Sequence, residues 1–119
     1  MKLIIAIIRP DRLDSVQTAL RAVLDEQDYF RLTVQQVDGH GRHEGEVEYF
    51  RGQAVRAPLV RKTQITIGVN DQYVEPAIAA IVKGARTDAT GAIGDGKIFV
   101  LPLEDCVRIR TGERGSTAI

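Results

Sequence analysis

From Lys2 to Arg9 nearly every position is β-branched or leucine, which suits a central strand covered on at least one face. Arg9-Pro10 ends it. Asp11 is placed to cap a helix in which Leu13, Val16, Leu20, Val23 and Leu24 fall at three- and four-residue steps. One apolar stripe then lies against a sheet, and the helix runs to about Glu26. Gln27-Asp28-Tyr29-Phe30 reads as a connector, after which Leu32, Val34 and Val37 recur among Thr33, Gln35 and Gln36 as a half-exposed second strand. It stops at Asp38-Gly39-His40-Gly41. Between Arg42 and about Ala57 no period holds, the residues are mostly charged, and Tyr49 and Phe50 stand side by side. A stretch of that length without its own structure reads as a protruding binding loop.

Pro58 to Val69 alternates, with Ile65, Ile67 and Val69 apolar, as a third strand that pairs with the second in a long antiparallel ribbon. Asn70 or Asp71 caps a second predicted helix carrying Val74, Ala77, Ile78, Ile81 and Val82 on one face. Pro76 is tolerated only near a helix start, which moves that start toward Tyr73. The helix fades at Gly84-Ala85-Arg86, and Lys97 to Leu101 makes the fourth strand. The order is βαββαβ, an α+β, ferredoxin-like arrangement with two helices on one face of a four-stranded antiparallel sheet. Its other face is left bare, so a homo-oligomer is expected.

Composition narrows the function classes. The 119 residues suit one domain, with apolar residues at 44% and charged residues at 27%. Sixteen Lys and Arg balance sixteen Asp and Glu, so no broad electrostatic footprint speaks for nucleic acid or an anionic membrane. Anion binding has to be local. The opening apolar run is too short for a signal peptide or a membrane span, and one cysteine, Cys106, leaves no internal disulfide. A cytoplasmic location without membrane insertion is expected.

The candidate chemistry lies in Thr90-Gly91-Ala92-Ile93-Gly94-Asp95-Gly96-Lys97. Three glycines free the backbone for φ > 0 and for close approach of a ligand to its amides. Bare N–H groups and the Lys97 ammonium together suit a polyphosphate. The spacing fits neither a P-loop nor a dinucleotide fingerprint. A plain turn is the alternative reading. In the tail, Arg108 and Arg110 stand two apart in a segment read as extended, so they point the same way and could clamp phosphate, or else form a solvated edge.

Together these pieces resemble the PII signal-transduction proteins over nearly the whole chain. The resemblance rests on Ile7-Ile8-Arg9-Pro10, Gly39-His40-Gly41-Arg42, Tyr49-Phe50-Arg51-Gly52, Thr90 to Val100, and Arg108-Ile109-Arg110-Thr111-Gly112-Glu113. It implies a single PII-like domain over residues 1–119 that forms a homotrimer, with adenine-nucleotide sites between subunits for ATP, ADP or AMP. The excursion of about 41–57 corresponds to the family's T-loop, which docks on a protein partner. The segment of about 87–97 is its B-loop, and about 106–119 its C-terminal loop. By position, Gly41, Arg42, Gly94, Gly96 and Lys97 would surround the phosphates, with Ile7, Gly39, Lys62, Ile93 and Asp95 beside them and Thr33 on the adenine side. Arg108 and Arg110 would reach in from a neighbour. Family members are regulators rather than enzymes, so no catalytic residue, resident metal or cofactor is expected. Mg²⁺ would enter only with ATP.

The chain also departs from the pattern. His43 stands where the family has a magnesium-binding glutamine, although Lys62 matches the lysine that pairs with 2-oxoglutarate; Gly41, His43 and Lys62 are the effector candidates. Ala92 replaces a phosphate-facing lysine, and Asp88-Ala89 lengthens the loop, which points toward shorter phosphate chains. Val55 occupies the place of the modified tyrosine, so no uridylylation is expected. These departures tilt the expectation toward a branch that handles inorganic carbon with ADP, AMP and bicarbonate. Two other classes compete: a small phosphoryl-transfer enzyme, for which only Asp95 lies in the loop, and a metal module on His40-x-x-His43 with Glu44, Glu46 and Glu48.

Overall fold

Seven residues, Lys2–Ile8, make strand β1 in the interior of a four-stranded sheet. The computed structural model describes residues 1–24, 32–40, 47–50, 53–56 and 59–119, the two short segments 47–50 and 53–56 by backbone alone. After β1 come α1 (Leu13–Val23), β2 (Thr33–Gly39), β3 (Val47–Phe50), β4 (Gln53–Arg56), β5 (Val60–Val69), α2 (Val74–Ala85) and β6 (Gly96–Pro102). The sheet order is β2-β5-β1-β6 with every neighbour antiparallel. This is the expected ferredoxin-like arrangement.

Alternation along the strands divides the sheet into two faces. Ile4, Ala6 and Ile8 of β1 are buried with Ile65, Ile67 and Val69 of β5 in a core that includes Val16 and Leu20 of α1 and Ala77 and Ile81 of α2. Each fully buried Ile, Leu or Val side chain among them contributes roughly 1.5–3 kcal/mol. Among the described residues Thr63 is the one buried polar residue on the same face, and its hydroxyl donates to Gln36 Oε1 at 3.4 Å. The opposite face carries partly buried Ile5 and Ile7, with Phe99 and Leu101 of β6 49% and 42% exposed.

The two helices meet closely at Gly84, where an added Cβ would stand 2.7 Å from Val16 Cα. Among the described residues no helix is long and apolar enough to cross a membrane.

Local departures from the sequence expectations have identifiable causes. Neither helix takes a side-chain cap from Asp11, Asn70 or Asp71. Each is entered through a 3-10 turn instead, Pro10–Arg12 or Asp71–Tyr73, closed by Arg12 N–H to Arg9 O and by Tyr73 N–H to Asn70 O. The Asn70 amide donates to Ser116 O, and Asp71 accepts the N-terminal ammonium. Pro76 falls at the third position of α2, where an N–H has no partner within the helix. α1 ends at Val23 rather than about Glu26, because Leu24 turns extended to bury its side chain. Val23 is 40% exposed, outside the Leu13, Val16, Leu20, Leu24 stripe. The Gln27–Phe30 connector lies outside the described residues.

The excursion after β2 has structure of its own: β3 and β4 pair antiparallel, Val47 with Arg56 through Phe50 with Gln53. Period analysis missed this because each strand is only four residues long. β5 starts at Val60, two residues later than expected.

Candidate functional site

Two carboxylates organise the loop between α2 and β6. Asp88 Oδ1 accepts the N–H groups of Thr90 and Gly91 and the Thr90 hydroxyl, at 2.7 to 2.9 Å. The Thr90 hydroxyl, then the two amides, hold the Asp88 carboxyl below its ordinary value. Asp95 Oδ2 accepts from Ala92 N–H at 2.8 Å and Thr87 N–H at 3.3 Å, while Oδ1 pairs with Arg9 Nε at 3.2 Å. Burial pushes the Asp95 carboxyl up, but the Ala92 and Thr87 amides and Arg9 outweigh it, so its pKa is lowered.

Cations reach this loop from the sheet. Arg9, just past β1, donates through Nη2 to Ile93 O at 2.8 Å. Lys62 on β5 donates to Gly94 O at 2.9 Å. Burial first, and the nearby Arg9 charge second, lower the Lys62 pKa, with Asp95 opposing. Among the described residues the N–H groups of Ile93 and Gly94 and the Lys97 ammonium have no partner. Gly94 takes φ 95°, a region that lets neighbouring amides converge into an anion-binding concavity.

A cleft of about 850 Å³ opens beside these amides on the helix-free side of the sheet. Ile7, Gly39 and Lys62 line it together with the run Ile93, Gly94, Asp95, Gly96 and Lys97. His40 stands at its rim. Eight of the residues singled out in the sequence therefore meet at one place. Asp95 faces the cleft with both oxygens already engaged, which makes it a brace for the loop.

Other candidates are elsewhere. Thr33 is exposed at the far end of β2 from Gly39. Arg108 and Arg110 do not lie on an extended segment: Gly112 N–H bonds Arg108 O at 2.8 Å and Val107 bridges to Arg114, so the tail forms a tight turn. Alternation therefore does not align the two guanidinium groups. Arg108 donates to Thr117 O and pairs with Glu113 at 3.6 Å, whereas Arg110 is exposed without a partner among the described residues. The tail leaves β6 next to Met1, where Leu103 N–H bonds Met1 O, at the opposite end of β1 from the Ile8–Gly96 pair. Seven residues of strand separate the ends by about 20 Å, so a chain does not bring its own tail arginines to its own loop.

Gly41, Arg42 and His43 lie outside the described residues, as do Glu44 and Glu46 of the metal reading. Among the described residues no group of three His, Cys, Asp or Glu side chains is placed to hold a metal ion. Arg9 is the contributor that pattern reading missed. Its signal was its place directly before Pro10, which fixes the backbone that aims it across to the loop.

The fold and the cleft define a small ferredoxin-like protein with a glycine-rich loop beside an open cleft and a short hairpin between β2 and β5. The chain matches the family model described as nitrogen regulatory protein P-II over residues 1–113. It is 47% identical over 119 residues to nitrogen regulatory protein GlnK1 of Methanosarcina mazei, covering all of this chain and 97% of the relative. Identity is 46% with nitrogen regulatory protein P-II 2 of Methanothermobacter thermautotrophicus, over 100% and 97% of the two chains. With nitrogen regulatory protein P-II of Cereibacter sphaeroides it is 44%, over the whole of both chains. The chain belongs to the P-II family of nitrogen regulatory signalling proteins. The tilt toward an inorganic-carbon branch finds no support, since these relatives are all named as nitrogen regulators.

Proposed function

We propose that this protein is a non-enzymatic, cytoplasmic sensor that binds ATP, ADP or AMP and regulates a protein partner in nitrogen metabolism through its T-loop, residues 41–57. The observation that carries this reading is the pair of amides at Ile93 and Gly94, unpartnered among the described residues, beside the Lys97 ammonium, likewise without a described partner, on the wall of an open cleft. Donors in that arrangement fit a phosphate chain. Ile7 and Phe99 give the cleft an apolar side suited to a purine. Gly41 and Arg42 would add contacts from the T-loop base. In a homotrimer assembled through the bare sheet face, Arg108, Arg110 and Thr33 would come from the adjoining copy.

Lys62 would meet 2-oxoglutarate when Mg²⁺ is held by ATP, in exchange for its bond to Gly94 O. The engagement of both Asp95 oxygens supports the regulator over a phosphoryl-transfer enzyme, because the loop's one cleft-lining acid is not free to act as a base. Calorimetry with ATP, ADP and AMP, with and without Mg²⁺ and 2-oxoglutarate, tests the reading alongside sedimentation. Saturable binding of adenine nucleotides to a trimer is expected. A monomer with no affinity for any of them would refute it, and so would turnover of ATP at about 1 per second or faster.

A further inference from the structure

Three consecutive residues of the B-loop, Ile93, Gly94 and Asp95, are each tied by a cation from the sheet side. Two of the three ties come from Arg9, which does not itself line the nucleotide cleft. We propose that Arg9 is the positioning residue of the anion cradle: by holding the Ile93 carbonyl and the Asp95 carboxylate it turns the Gly94 N–H into the cleft and neutralises the one B-loop carboxylate that lines it. This rests on the nucleotide reading given above.

Peptide geometry supplies the first half. The Ile93 carbonyl and the Gly94 N–H belong to one trans peptide unit and point in opposite directions. Arg9 Nη2 binds that carbonyl at 2.8 Å from outside the cleft. The N–H on the other edge of the plane is then aimed toward the cleft. If the peptide flipped, a carbonyl oxygen would face an incoming phosphate in place of a donor.

Electrostatics supplies the second half. Asp95 is the one carboxylate of the B-loop that lines the cleft, and a bare carboxylate there would repel a polyanion. Arg9 Nε neutralises Oδ1, leaving Oδ2 for the Ala92 and Thr87 amides. Both bonds diverge from one guanidinium fork, Nε to the carboxylate and Nη2 to the carbonyl. A lysine ammonium restores the charge without that fork. The backbone of Arg9 is itself fixed, since Pro10 follows it and Arg12 N–H closes on its carbonyl at 3.0 Å.

The test uses the full chain with Arg9→Gln and Arg9→Lys, titrated with ADP and with AMP, and with thermal melts of each variant. A positioning role predicts that Arg9→Gln weakens ADP by at least about tenfold and AMP by clearly less, because the extra phosphate meets the disordered cradle. Arg9→Lys should fall between, and the Gly94 amide resonance, which should shift on ADP addition in the wild type, should stop responding in Arg9→Gln. Equal losses for ADP and AMP, or ADP binding as tight as wild type in Arg9→Gln, overturn the role of Arg9 and leave the nucleotide reading intact. A wild-type protein that binds neither ligand overturns both. Where Arg9→Gln does not melt cooperatively, Arg9→Lys carries the comparison: a preferential loss on ADP supports the proposal and an unchanged ADP to AMP ratio overturns it.

Discussion

Gly96 runs so close to Ile7 that a Cβ at position 96 would stand 1.7 Å from the Ile7 carbonyl oxygen. The contact lies at the first step of the β1–β6 ladder, where Ile8 pairs with Gly96, and Gly96 holds φ at 114°. Gly96→Ala therefore meets both a steric block and backbone strain, the latter alone costing about 1–3 kcal/mol. A large fall in melting temperature is expected, together with loss of nucleotide binding in whatever folded fraction remains. Calorimetric melts followed by ADP titration check this. A variant that melts like the wild type would show that the strand shifts at little cost.

Gly84 makes the equivalent close approach between the helices, with an added Cβ 2.7 Å from Val16 Cα and 2.8 Å from Val16 N. Backbone atoms cannot rotate away, so α1 and α2 must separate. Gly84→Ala is expected to destabilise by about 1–3 kcal/mol, despite the better helix propensity of alanine, and to leave ADP affinity nearly unchanged. Urea unfolding measures the first quantity and calorimetry the second.

Much of this fold is legible in the sequence. The alternation of Ile65, Ile67 and Val69 and the spacing of Val16 and Leu20 placed the core, because a long period survives local irregularity. The cluster Ile93 to Lys97 was recognisable because glycines at that density open positive-φ conformations to the backbone and let a ligand approach its amides. Other features escaped. The helix entries were misread because Asp11, Asn70 and Asp71 have capping chemistry but the turns use backbone carbonyls instead. The hairpin of β3 and β4 is too short to show a period. Arg9 lies 84 residues from Ile93 in sequence, and no spacing rule reports a contact made only by folding.

Lys62 carries an alkaline signature. Burial and the Arg9 charge lower its pKa below the ordinary 10.5 against the pull of Asp95. Between that lowered value and 10.5 the unfolded chain binds more protons than the folded one, so folding stability rises with pH across the window. Lys62→Met removes the group and with it this rise. The melting temperature of the wild type is expected to gain on that of the variant from neutral pH upward. Parallel curves would contradict the assignment.

Asp95 gives the opposite limb. Its pKa lies below 3.8, because the Ala92 and Thr87 amides and Arg9 more than offset burial. The stabilisation it lends is complete above 3.8 and disappears as pH falls through the lowered value. Asp95→Asn should be less stable than wild type at neutral pH, and the gap should close in acid. A gap that is constant down to pH 2 would mean that the carboxylate charge has no part in it.

The length of β1 has one last consequence. A ligand that needs the glycine loop at one pole of the sheet and the tail arginines at the other can be wrapped only by two molecules at once. Occupancy then depends on how much protein is present as well as how much ligand, so dilution should release nucleotide and nucleotide should resist dilution.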